Sequence, residues 1–130
     1  MAEAVELRRE ATVRSLADAS AVQFASPDGR SRWRVSGSAI QHSADGGATW
    51  APEFTAPRPL TTGVAIDADI AWAGGEQGLV LRRTAGGWAV VTAPLPQRIV
   101  AIRATSATAA TVTTGDGRTL QTSDAGATWR

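Results

Sequence analysis

The sequence predicts an all-β fold built from three tandem units, and two observations carry that expectation. An eight-residue turn is written twice, as SADGGATW at 43–50 and TSDAGATW at 122–129, with a shortened version, TAGGW, ending at Trp88. Around these turns the chain is a succession of runs four to seven residues long, rich in Val, Ile, Thr and Trp and separated by Gly, Asp, Ser and Pro. That is the signature of strands rather than helices.

The units follow from the tryptophans. Trp50, Trp88 and Trp129 recur at intervals of 38 and 41 residues, and SAIQHSADGGATW, GLVLRRTAGGW and GRTLQTSDAGATW are three versions of one segment. Upstream of each lies an extended run with a glycine connection, RWRVSG at 32–37, IAWAGGEQG at 70–78 and TAATVTTGDG at 108–117. A further run precedes these, at 21–26, 61–67 and 98–105, and a fourth follows the tryptophan turn in TWAPEFTA and GWAVVTAP. Four short antiparallel strands per unit of about 40 residues make a β-propeller blade. The expected blades cover about 21–56, 61–93 and 98–130. The third stops at Arg130, where its fourth strand should begin. Residues 1–20 differ in composition, being rich in Ala, Glu, Arg and Leu, and are expected to form a short helix or tail that acts as a linker. The alternative is that Ala11–Ser15 pairs as a strand with the last blade.

Composition narrows the chemistry. The 130 residues suffice for one domain, and no run reaches the eighteen or so apolar residues a membrane helix requires, so no membrane span is expected in this chain. The start, MAEAVELRRE, carries charges where a signal peptide would place its apolar stretch, so any export signal is expected to be upstream or absent. With no cysteine and a single histidine, His42, neither disulfides nor a zinc site of the usual kind is available. All 13 basic residues are arginine, against 12 acids; a net charge of +1 argues against a nucleic-acid partner.

Every residue of the repeated turn has a folding role. Asp45 and Asp124 can accept backbone N–H groups of their own turns, Gly47 and Gly126 supply positive φ, and the Thr49 and Thr128 hydroxyls can reach back across the turn opened by Ser43 and Thr122. Trp50 and Trp129 are expected to be buried between neighbouring layers. One aspartate per turn falls far short of the six to eight oxygens calcium takes, so no metal is expected.

These residues carry a resemblance. SADGGATW and TSDAGATW resemble the Asp-box, or bacterial neuraminidase repeat, and WAGGEQGLVLRRT is similar to the strand–turn–strand of photosystem II stability/assembly factor-like propellers. The resemblance covers about 25–130 and implies a β-propeller with its boxes on one rim, away from the ligand face. Similar bacterial modules stand C-terminal to a membrane span, which implies an extracytoplasmic, periplasmic or secreted location.

Three functional classes compete for such a sequence. Sialidases resembling this repeat use a tyrosine nucleophile, and this sequence has no tyrosine; nor does it hold another catalytic set or a cofactor motif, so an enzyme is not expected. A carbohydrate-binding lectin could use Trp33, Trp72, Arg34, Arg82 and Arg83 for stacking and forked donors, although Trp33 and Trp72 equally fit between blades. A scaffold for protein or peptide partners is preferred, with Arg82, Arg83, Arg98 and Arg103 as a carboxylate-binding patch. Propellers close with four to eight blades. Three blades should leave apolar sheet faces uncovered, which predicts either a homodimer completing a six-bladed ring or a single-chain incomplete propeller.

Overall fold

Turns rich in glycine and aspartate cut the chain into short strands that can pair only with their neighbours, and hairpin follows hairpin. The computed structural model describes residues 22–91 and 95–130. The N-terminal helix or tail and the Ala11–Ser15 strand therefore lie outside the described residues.

The first sheet orders β1 (Val22–Ala25), β2 (Arg32–Ser36), β3 (Ala39–Ser43) and β4 (Ala51–Thr55). The second orders β5 (Leu60–Ala65), β6 (Ala71–Gly75), β7 (Val80–Thr84) and β8 (Gly87–Val91), with a single 3-10 turn, Glu76–Gly78, between its middle strands. The third holds β9 (Ile99–Ala104), β10 (Ala110–Thr114) and β11 (Thr119–Thr122). All pairings are antiparallel. The third sheet thus has three strands rather than four, plus one residue of a fourth. Arg130 exchanges both backbone hydrogen bonds with Gln121 (3.0 and 2.9 Å), at the register position Ala51 takes opposite His42.

Successive sheets stack face to face, with β1, β5 and β9 side by side. Because side chains alternate along a strand, each sheet has two faces of separate composition. Trp33, Val35 and Ile40 of the first sheet pack with Ala73, Leu79 and Leu81 of the second. On the second sheet's other face, Trp72 and Val80 pack with Ile99, Ile102, Ala110 and Val112. Trp33 and Trp72 hold equivalent positions, opposite His42 and Arg82, and both are 0% exposed. Close approach is allowed by missing side chains: a Cβ on Gly63 would overlap the Phe24 ring, and one on Gly74 would overlap Ile99.

The two outermost faces depart from the expectation of open apolar surface. The first sheet turns Gln23, Arg32, Arg34 and Gln41 outward. The third turns out Ala101, Arg103, Thr111, Thr113, Thr119 and Gln121, with Thr111 standing where the other sheets put tryptophan. Among the described residues, Val90 and Val100 are the large hydrophobics most exposed, and neither belongs to those two faces' central strands. Among the described residues, these two faces carry more polar side chains than the faces buried between sheets.

Candidate binding surface

The repeated turn is closed by its own side chains. Asp45 accepts the Thr49 N–H (2.9 Å) and hydroxyl (2.6 Å), while Ser43 Oγ donates to Asp45 (2.7 Å) and accepts the Gly47 N–H (2.8 Å). The second copy repeats this bond for bond: Thr128 N–H and hydroxyl to Asp124 (2.9 and 2.5 Å), Thr122 Oγ1 to Asp124 (2.7 Å), Gly126 N–H to Thr122 (2.9 Å). Hydrogen bonds led by those from Thr49 and Thr128 hold both carboxyls down at about 2. Gly47 and Gly126 have φ of +97° and +90°. These residues are saturated by local bonds.

The two box tryptophans differ. Trp129 packs against the core between the second and third sheets. Trp50 does not lie between layers: it is half-buried on the outward face of the first sheet, its Nε1 donating to Gly47 O (3.1 Å), and the Arg34 guanidinium covers its ring at 4.3 Å. Arg34 stands there in place of a neighbouring blade, and its Nε also donates to Gln41 (2.7 Å).

The four arginines expected to form one patch are dispersed. Arg82 and Arg83 are consecutive on β7, so the strand points them to opposite faces. Arg83 enters the first inter-sheet layer, where Nε and Nη2 fork onto Glu53 (2.7 and 3.1 Å) and Nη1 donates to Asp69 O (2.7 Å). Arg82 enters the second layer and donates Nε to Ala107 O. Arg98, at the start of β9, is paired with Glu76 (2.9 Å). Arg103, at the other end of that strand, is exposed on the outward face of the third sheet.

Sequence reasoning missed Glu53. Its Oε1 accepts Trp33 Nε1 (2.9 Å), Trp88 Nε1 (2.7 Å) and Arg83, while Oε2 faces His42 Nδ1 at 3.3 Å. The His42 ring stacks on Trp33 with centroids 4.8 Å apart. Burial pushes the Glu53 carboxyl up, but the bonds from Arg83, Trp33 and Trp88 outweigh it and leave it below the usual range. A carboxylate so held is kept ionised and occupied, which suits a structural joint rather than proton transfer. The one available signal was a charged residue inside the half-apolar run TWAPEFTA.

Trp33 and Trp72 offer no stacking platform, since both are fully buried and spend their N–H groups on Glu53 and on Ser106 O (3.0 Å). Shallow depressions open among the described residues include one of about 290 Å³ lined by Arg82, Val90 and Asp124 and, on the third sheet, one of about 520 Å³ lined by Arg103, Thr111 and Gln121 among others and one of about 200 Å³ reaching Thr128 and Arg130. No group of three or more metal-ligating side chains occurs among the described residues, and no helix among them is long and apolar enough to cross a membrane.

No family model matches this chain, and no curated protein does. Solved structures do. YCF48 bound to D1 peptide superposes with a TM-score of 0.71 at 22% identity, covering 84% of this chain and 38% of that one. YCF48 from Cyanidioschyzon merolae gives a TM-score of 0.70 at 23% identity over the same shares. The fold is a partial β-propeller. The chain spans 38% of the length of these propellers, and at such identity the likeness is one of fold.

Proposed function

We propose that this partial propeller is a non-catalytic module that binds a protein or peptide. The observation that carries the reading is the open, arginine-bearing face of the third sheet, where Arg103, Thr111 and Gln121 stand beside small alanines, which suits partners that offer carboxylates. The likeness to a propeller solved with a peptide supports it. In this reading the two turns are Asp-boxes acting as staples, and Glu53 joins blades. The carbohydrate reading has lost its aromatic platforms. A homodimeric ring would press Arg103 and Gln121 of one copy toward Arg32 and Arg34 of the next, so the single-chain form is preferred.

The test is fluorescence anisotropy with labelled acidic, neutral and basic peptides, with tryptophan emission followed in parallel during titration with simple sugars. Saturable peptide binding that weakens as salt rises is the expected result. Saturable sugar binding, with none of the peptides bound, would overturn the reading.

A further inference from the structure

Most arginines of the described chain already have acceptors. Arg32 donates to Gly29 O, Arg34 to Gln41, Arg58 to Glu76 O, Arg82 to Ala107 O and Arg83 to Glu53, while Arg98 and Arg118 pair with Glu76 and Asp116. Arg103 has no side-chain hydrogen bond or ion pair among the described residues, and neither does the Arg130 guanidinium; both are exposed. They stand at opposite ends of one groove. The two depressions on the third sheet share Gln121, Thr122 and Ser123, so they run together across β11 from Arg103 to Arg130.

Thr111, Gln121 and Ser123 offer hydroxyl and amide groups beside Ala104, Ala109 and Ala110, and no Asp or Glu side chain lines either part. Thr111 and Gln121 are cross-strand partners, spaced to meet alternate groups of an extended chain. The molecule shows elsewhere what its arginine forks take: Arg83 grips the Glu53 carboxylate with two nitrogens. We infer that an acidic peptide docks in extended form across the outward face of the third sheet, with carboxylates on Arg103 and Arg130 and its polar groups over Thr111 and Gln121. The inference rests on the peptide-binding reading and commits it to one site and one sign of charge.

The full chain is titrated with a labelled peptide of alternating Glu and Ser, and with its Gln counterpart. The Glu peptide should bind and the Gln peptide should bind far more weakly. Arg103→Ala, and separately Arg130→Ala, should each weaken the Glu peptide about tenfold while the melting temperature holds. Arg118→Ala, beyond the groove and exposed, should leave affinity unchanged. Equal binding of both peptides, or indifference to Arg103→Ala, overturns the site. If Arg82→Ala weakens the peptide and Arg103→Ala does not, the module binds peptides elsewhere and only this site falls. If no peptide binds, both readings fall. A two-chain mass that Arg103→Ala converts to one chain would make the face a self-contact and also overturn the proposal.

Discussion

The two inter-sheet layers solve one problem in different ways. Each buries a tryptophan from the second strand of its blade and must satisfy the indole N–H between packed sheets. In the first layer the acceptor is a side chain, Glu53, which also takes Trp88 and Arg83. In the second the acceptors are backbone carbonyls, Ser106 O for Trp72 and Ala107 O for Arg82, beside an aliphatic core of Val80, Ile99, Ile102 and Val112. The first layer is therefore vulnerable at one residue, and the second is spread over main chain that substitution leaves in place.

That contrast can be broken by Glu53→Ala. The change strands two indole N–H groups and an arginine fork, and it should lower unfolding stability by about 3 kcal/mol in urea titration. Ser106→Ala removes only the hydroxyl that receives the Thr108 and Ala109 N–H groups, and should cost about 1 kcal/mol or less. Comparable losses would mean that the layers are equally distributed.

A smaller contrast lies between the two turns. A Cβ on Gly126 would overlap Val91 of the second sheet, whereas Gly47 faces ordinary contacts on the open side. Gly47→Ala should cost about 1–2 kcal/mol from its left-handed backbone alone, and Gly126→Ala about 1–3 kcal/mol more. Beside it, Ala125 has a φ of +62° where the first turn uses Gly46 at +73°. Ala125→Gly should raise stability by about 0.5–1 kcal/mol, read as an upward shift in melting temperature.

The smallest effect is the pH response of the turns. The Asp45 and Asp124 carboxyls lie at about 2 in the folded chain, below the 3.8 of the free group. Their folded-state pKa is depressed, so their contribution is present above about pH 4 and is lost as pH falls toward 2. Asp45→Asn with Asp124→Asn should flatten the melting temperature over that interval, and an unchanged slope would assign acid sensitivity elsewhere, with Glu53 the next group to test.

Strands and turns were legible because their causes are mostly local: Ser43, Asp45, Gly47 and Thr49 bond to one another within a single turn, and strand runs announce themselves by composition. The dispersal of Arg82 and Arg83 was also legible, since neighbours on a strand must part, yet a shared charge invited their grouping. The gathering of Trp88 and Arg83 of the second sheet with Trp33 and His42 around Glu53 was not, because it joins residues up to 35 positions apart through sheet stacking, and neither was the covering of Trp50 by Arg34, which depends on which face of the first sheet is turned outward. The polar outward face of the third sheet becomes readable only when Thr111 is aligned with Trp33 and Trp72.

The local side-chain bonding of the turn has a consequence for heredity. The hydrogen bonds of Asp45 stay within the segment from Ser43 to Thr49, as those of Asp124 stay between Thr122 and Thr128. A gene duplication that copies such a segment carries the turn's side-chain bonds with it, while a neighbouring loop must still accept one backbone N–H, as Arg30 O does for Gly46 and Thr108 O for Ala125. Selection then has that loop and the sheet faces left to adjust, tryptophan where another sheet follows and threonine or arginine where none does.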